Sequence, residues 1–269
     1  MLITIGLLGL YIVTILLAIY YLMFKVYANK TLHPIYAIMI TGKDTCRTEY
    51  AKLAVQNFFN QTYPNKYLII INHGHRNVMP QSNINLPNVI EIYIDKKHMK
   101  LGDLRNIALE IVPYNALWMP WDDDDYRAPE LMFELYKKVK HNILVSLSTR
   151  CEYNKLTEYI WQIFMHHGMP IFLAKKHYKL RYLSKDTMED TQILTDAKSI
   201  GHVKIIKNKP DIYIRLIHNN NTSLYVDKTK DNIVNVYNSI YKEKELDKHT
   251  KDIVKKIISD YYKQVSKEC

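Results

Sequence analysis

The sequence predicts an α/β domain built on a largely parallel sheet, set behind one N-terminal transmembrane helix. Three observations predict it. From Ile35 onward, short β-rich runs alternate with helical stretches, the pattern of strand–helix layering. Leu2 opens and Phe24 closes an uncharged apolar run of residues 2–24, long enough to cross about 30 Å of hydrocarbon. A composition of 48% hydrophobic and 12% aromatic residues supplies a core, which excludes wholesale disorder.

The run of residues 2–24 reads as an uncleaved anchor, because a signal peptide needs a charged n-region, a shorter apolar core and a small-residue cleavage site. The nearest charges, Lys25 and Lys30, follow it, and the positive-inside tendency then favours the cytosolic side for the rest of the chain. The sequons at Asn60, Asn220 and Asn221 argue the other way, since they matter only in a lumen.

Strands are expected at 35–41 and 67–72, where IYAIMIT and YLIIIN are nearly continuous apolar runs, as in strands buried on both faces. Further strands follow at 89–95, 115–121 and 142–148. Between them, 49–60, 101–111 and 129–140 carry apolar residues at helical spacing. Beyond Ser148 the pattern predicts a helix near 157–166, a strand at 171–175, a helix at 191–199 and strands at 203–206 and 212–218. The tail, 231–267, alternates lysines with isoleucine, valine and tyrosine, which suits an amphipathic helix. The chain thus divides into an anchor (1–25), an α/β domain (34–226) and a helical C-terminal appendage (227–269).

Only seven glycines occur, and none falls into GxGxxG, GxxxxGK[ST] or GxSxG, so dinucleotide-fingerprint, P-loop and nucleophile-elbow enzymes are disfavoured. Cys46, Cys151 and Cys269 are far apart with no CxxC, which indicates neither a disulfide framework nor a zinc knuckle. Lys and Arg (37) against Asp and Glu (27) give +10, but the lysines are spread along the chain and not clustered beside the apolar run. That spread disfavours polybasic lipid recognition, and no nucleic-acid partner is expected.

The strongest chemical signal is Trp118-Met-Pro-Trp-Asp-Asp-Asp-Asp-Tyr126, an apolar strand running into four carboxylates. In open α/β sheets ligands sit beyond the carboxyl ends of strands. An extended backbone there would put Asp122 and Asp124 on one side and Asp123 and Asp125 on the other, where one pair can converge on a hard divalent cation. The competing reading is an acidic loop capping the helix near Pro129. Glu189-Asp190, with Thr187 placed to cap, opens the next helix and reads either as capping or as acid–base chemistry. Arg105-Asn106 lies near a helix start after Gly102, where backbone amides and a guanidinium can meet phosphate.

Taken in order, these pieces resemble family 2 glycosyltransferases of the GT-A fold. The resemblance rests on Thr41-Gly-Lys-Asp-Thr-Cys-Arg-Thr-Glu-Tyr50, the Gln-Asn-Phe-Phe-Asn-Gln-Thr-Tyr-Pro-Asn stretch from Gln56, Gly102-Asp-Leu-Arg-Asn106, Trp121-Asp-Asp-Asp-Asp-Tyr126, Met169-Pro-Ile-Phe-Leu-Ala174 and Met188-Glu-Asp-Thr191. It implies a three-layer α/β/α domain with Thr41, Arg47 and Glu49 beside the nucleotide and Arg105 near its base or phosphates. Asp122 and Asp124 match the DxD carboxylates, with Asp123 as the donor-side neighbour that can exchange register with Asp122. Asp190 matches the general base with Glu189 beside it, and His218 sits where some members place a further metal ligand. The cofactor implied is Mn²⁺ or Mg²⁺.

Asn72 stands where the family has a carboxylate that selects the donor base, and it can still hydrogen-bond a uracil. Trp161 is an acceptor-stacking candidate or a core aromatic. The expected activity is a membrane-anchored, metal-dependent, inverting transfer of sugar from a nucleotide-diphosphate donor, uridine first, to an acceptor hydroxyl. The acceptor, whether glycan, lipid or protein, stays open. Two alternatives remain: a catalytically degenerate nucleotide-sugar-binding protein, and a metal-dependent phosphoryl-transfer enzyme using the same aspartates. No Gln-x-x-Arg-Trp motif occurs, which disfavours a processive synthase.

Overall fold

The computed structural model describes residues 14–17, 32–42, 45–74, 78–79, 87–95, 99–155, 157–164, 171–207, 209–218 and 242–263. The expected membrane span lies outside the described residues apart from 14–17, which is helical, and so do Asn220 and Asn221. Among the described residues no helix is long and apolar enough to cross a membrane.

The main sheet contains β1 (Ile35–Thr41), β2 (Lys66–Asn72), β3 (Val89–Tyr93), β4 (Leu117–Pro120), β6 (Leu144–Leu147), β9 (Phe172–Lys175) and β10 (Val203–Ile206), in the order β10-β6-β9-β4-β1-β2-β3. β1 pairs in parallel with β2 and β4, β2 with β3, and β6 with β10. β9 alone of these strands runs antiparallel, to β4 and β6. The apolar runs explain the burial, because alternate residues of one strand serve opposite layers. Leu68 and Ile70 face one helical layer, with α1 (Thr45–Phe59) and α3 (Leu131–Val139), while Ile69 and Ile71 face the other, with α2 (Leu101–Ile111) and α4 (Thr191–Ile200). The three-layer expectation is met.

A second sheet was not foreseen. It joins β5 (Tyr126–Arg127), β7 (Thr149–Asn154), β8 (Ile160–Phe164), β11 (Tyr213–Ile217) and β12 (Lys242–Lys244) in the order β12-β8-β7-β11-β5. The helix expected near 157–166 is therefore corrected: of its described part, 157–164, residues 160–164 form strand β8, antiparallel to β7. A short apolar run satisfies both periods, and Ile160, Trp161 and Ile163 are strand-favouring residues that a neighbouring strand edge captures. In the tail, α5 (Lys248–Tyr262) is the helix expected, though only from 248, while 231–241 lies outside the described residues. Asp247 caps it by accepting from Thr250 N at 2.9 Å. Val254, Ile258 and Tyr261 pack with Leu246 against Leu53, Cys151, Ile214 and Leu216, so this helix covers one face of the second sheet.

The side chains of the Gln56–Asn65 stretch serve the fold. Asn57 Nδ2 donates to Arg127 O at 2.7 Å and its Oδ1 accepts from Arg127 N at 3.1 Å. Gln61 Nε2 donates to Ala128 O at 2.8 Å and its Oε1 accepts from Met132 N at 3.2 Å. Tyr63 reaches back to His33 O at 2.6 Å. The end of α1 thereby clamps the chain that leaves the four aspartates.

Candidate active site

Arg47, Asp123, Asp124 and His218 meet beyond the carboxyl ends of β1 and β4. The backbone turns at Asp123 and Asp124, so the alternation expected of an extended strand is broken. Both carboxylates reach the Arg47 guanidinium, Asp124 at 2.7 Å and Asp123 more closely still. His218 Nε2 lies 3.2 Å from Asp124 Oδ2, and its ring stacks on Tyr50 with centroids 4.6 Å apart. Asp122 points elsewhere: its Oδ1 is 2.6 Å from Arg105 Nη2. Asp125 turns to the second sheet and accepts from Tyr213 OH at 2.5 Å and Leu216 N at 3.1 Å. The run does not cap the following helix, whose N-cap is Glu130 and makes no side-chain cap bond.

Two cations organise this run. Arg127 is fully buried, with its guanidinium 4.4 Å from the Trp121 ring, and it donates to Asp122 O and Asp125 O at 3.0 and 3.2 Å. Arg105 bridges the two acidic motifs, pairing with Asp122 on one side and with Glu189 on the other. The expected phosphate site at the α2 start is corrected. Its first amides are taken, Leu101 N by Asp186 Oδ1 at 3.2 Å and Gly102 N by Lys185 O at 3.0 Å.

All three motif residues of this helix dock the segment that carries Glu189-Asp190. Asn106 exchanges hydrogen bonds with the Tyr182 backbone at 2.8 and 2.9 Å. Gly102 lies so close to Leu183 O that a Cβ has no room. Gly102→Ala is expected to destabilise by about 1–3 kcal/mol through overpacking and to displace Glu189, read as a lower urea midpoint. An unchanged midpoint would show that the segment moves away freely.

Asp190 is the N-cap of α4 yet makes no side-chain cap bond, and Thr187 does not cap the helix. Met188 before the acidic pair has φ 56°, a left-handed conformation that a non-glycine residue adopts at a cost. Burial raises the Asp190 carboxyl, Arg105 pulls it back and Asp122 raises it further; Glu189 is raised in the same way. Its carboxyl is thus raised, makes no cap bond and lies near the Arg105 clamp.

Burial pushes Asp123 up to about 7 against the pull of Arg47, and pushes Asp125 up to about 7 with the help of the Asp124 charge. Burial also opposes ionisation of Asp124, but Arg47 and His218 outweigh it and hold that carboxyl well below the ordinary range. For Asp123 and Asp125 the folded value exceeds the unfolded one of about 3.9. Their contribution to stability is complete below that value and is lost as pH rises through about 7. Asp124 contributes above about pH 4 and is constant in between. Without metal, unfolding free energy is expected to fall on the order of 4 kcal/mol from pH 5.5 to 7.5, measured by urea denaturation in chelator. A flat profile would mean that both aspartates ionise normally.

Among the described residues, no three His, Cys, Asp or Glu side chains form a ready metal cage. The donor types gathered there, two buried carboxylates and an imidazole, are those a hard divalent cation takes, but Arg47 already stands between the carboxylates. Asp123, rather than Asp122, is the carboxylate beside Asp124.

The remaining candidates are placed as follows. The Thr41 hydroxyl is buried close enough to Asp123 to favour its ionised form. Glu49 pairs with Lys52 at 2.7 Å on the helix surface. Asn72 is fully buried and donates to Glu91 at 2.7 Å while accepting from Gly74 N at 2.9 Å. Beside it Gly42, at φ 104°, and Gly74 touch so closely that neither accepts a Cβ. Trp161 is a buried aromatic of β8, stacked on Tyr159 with centroids 5.2 Å apart. The sequence reading missed Tyr50, Arg127, Tyr213 and Glu91. An arginine two residues after an acidic run was the one available signal.

No protein-family model and no curated protein sequence matches the chain. Solved structures do. S. aureus TarS 1-349 is similar with a TM-score of 0.53 and 13% identity over 68% of this chain and 60% of that one. Its complex with UDP-GlcNAc gives 0.56 and 12% over 86% and 72%. The mannosyltransferase PcManGT from Pyrobaculum calidifontis, in complex with GDP-Man and Mn2+, gives 0.52 and 12% over 72% and 60%. The chain thus spans 60% of the length of the first of these. At such identities the likeness is one of architecture: the chain has a GT-A-like glycosyltransferase fold.

Proposed function

We propose that this protein is a membrane-anchored glycosyltransferase that moves a sugar from a nucleotide-diphosphate donor, uridine first, to an acceptor hydroxyl with inversion. The observation that carries it is the Arg105 bridge, which sets the aspartate turn and the Glu189-Asp190 segment against each other at one end of a GT-A-like fold. That neighbours of this fold were solved with UDP-GlcNAc and with GDP-Man and Mn2+ supports the donor class.

Asp124, His218 and Asp123 would hold Mn²⁺ or Mg²⁺, with Arg47 released from the two carboxylates. Bound there, the cation supplies charge stabilisation for a leaving diphosphate. Asp190 takes the proton of the acceptor hydroxyl as its oxygen bonds to the anomeric carbon and the bond to diphosphate breaks. Arg105 keeps Glu189 fixed beside Asp190. A dedicated nucleophile for phosphoryl transfer is not assembled among the described residues.

The test is a panel of nucleotide sugars screened for hydrolysis with Mn²⁺ present. Turnover of one of them is expected, and binding of a nucleotide sugar with no turnover would favour the degenerate binding protein instead. For the anchor, protease protection of sealed membranes is expected to leave a C-terminal tag accessible from the cytosolic side. A protected tag, or glycan on Asn60, would put the domain in a lumen.

A further inference from the structure

The carboxyl ends of β1, β2 and β3 lie in a row. Thr41 is the register partner of Asn72, and Asn72 that of Tyr93, so the three strand ends stand side by side on the sheet. β4 pairs with β1 through Pro120 and Ile38, which brings the aspartate turn up beside Thr41. From Thr41 to Tyr93 the row spans two strand spacings, about 10 Å. A nucleoside diphosphate has a comparable reach from second phosphate to base, and ligands of such sheets lie beyond these strand ends.

Asn72 is sealed off within this row. It is fully buried, its Oδ1 accepts from Gly74 N at 2.9 Å, and a Cβ on Gly42 would collide with that same oxygen. A base edge has no path to it. Its Nδ2 donates instead to Glu91 Oε1 at 2.7 Å, which draws the Glu91 side chain, two residues back from the end of β3, up to the carboxyl edge of the sheet. Glu91 and Tyr93 share one face of β3, since side chains alternate along a strand. Glu91 is half-buried and Tyr93 is 54% exposed. Burial first, and then the Glu91 charge, raise the Tyr93 hydroxyl, as expected of a ring lying beside that carboxylate. An aromatic face next to a fixed hydrogen-bonding group is the arrangement by which proteins stack and read an unpaired base.

We propose that Glu91, oriented by Asn72, selects the nucleobase of the donor, accepting a hydrogen bond from its ring N–H while the Tyr93 ring packs on its face. This assignment rests on the glycosyltransferase reading above. An ionised carboxylate can only accept, and Asn72 takes one of its acceptor positions. Glu91 therefore favours uracil and guanine, whose ring nitrogen on the pairing edge carries a hydrogen, over cytosine and adenine, whose ring nitrogen there presents a lone pair. Asn72 is then a positioning residue that does not touch the base.

The test is calorimetry of UDP, GDP, CDP and ADP on the full chain in Mn²⁺, with pyrophosphate as the probe that lacks a base. Wild type is expected to bind UDP or GDP about tenfold or more tightly than both CDP and ADP, because a hydrogen bond to a charged group gives way to opposed lone pairs. Glu91→Gln can keep its oxygen on Asn72 and turn its NH₂ to the base, so the ratio is expected to collapse or to reverse toward CDP and ADP. A merely structural Glu91 predicts an unchanged ratio. Equal wild-type affinities for the four nucleotides would overturn the assignment, as would an unchanged ratio in Glu91→Gln shown to be folded by circular dichroism. Either result, with pyrophosphate and nucleotides still bound, leaves the transferase reading standing. Failure of wild type to bind any of these diphosphates, pyrophosphate included, overturns both.

Discussion

Asp190→Asn is expected to lower the transfer rate by about 10²- to 10⁴-fold while donor affinity stays nearly unchanged, because a general base acts only in the transition state. The substitution is a clean probe. Asp190 is the N-cap of α4 but makes no cap hydrogen bond, so asparagine removes the proton acceptor without removing a helix contact. Burial raises the carboxyl, which brings its basicity closer to neutral pH than that of a surface aspartate. The acidic limb of the wild-type rate profile should accordingly be shifted upward from that of an exposed aspartate. Glu189→Gln should be milder, since glutamine can still accept from Arg105 and hold the segment. Donor hydrolysis can stand in for transfer if water uses the same base. Full turnover by folded Asp190→Asn would sink the assignment of the base.

Nucleotide-diphosphate binding should require a divalent cation, and Asp124→Ala should weaken it by about 10²-fold, which is about 2.7 kcal/mol. Asp124 is the point where the site converges, within 2.7 Å of Arg47 and 3.2 Å of His218. Removing it deprives a cation of the carboxylate whose ionised form is best secured, and leaves Asp123, which resists ionisation, as the remaining oxygen donor beside His218. Calorimetry with UDP should show tight binding in Mn²⁺, weak binding in chelator, and Asp124→Ala in Mn²⁺ close to wild type in chelator. Because the lost carboxylate also answers Arg47, Asp124→Asn is the companion that keeps the volume, and circular dichroism checks folding. Equal wild-type affinity with and without chelator would overturn the metal site and leave Arg47 as the permanent cation there.

Much of the architecture was legible because it depends on local composition. Continuous apolar runs such as IYAIMIT and YLIIIN cannot lie on a surface, so they mark strands buried on both sides, and the helices between them show their own spacing. The acidic motifs were legible for the same reason: four adjacent carboxylates after an apolar strand are out of place in ordinary packing. The second sheet was not legible, because β7 and β8 are short and the pairing of β7 with β11 joins segments about sixty residues apart.

What the sequence by itself determined is the layered α/β class, the strand ends that carry chemistry and the two acidic motifs. Only the tertiary structure decided which aspartate does what. A turn at Asp123 and Asp124 replaced the expected extended strand, sending Asp122 to Arg105, Asp123 and Asp124 to Arg47, and Asp125 to Tyr213. It also decided that Gly102, Arg105 and Asn106 dock the Glu189 segment. The physical reason is the range of the forces involved. Hydrophobic periodicity is read over a few neighbouring residues, whereas each buried carboxylate must find its own cation or donor, and those partners lie 76 to 94 residues away for Asp123, Asp124 and Asp125.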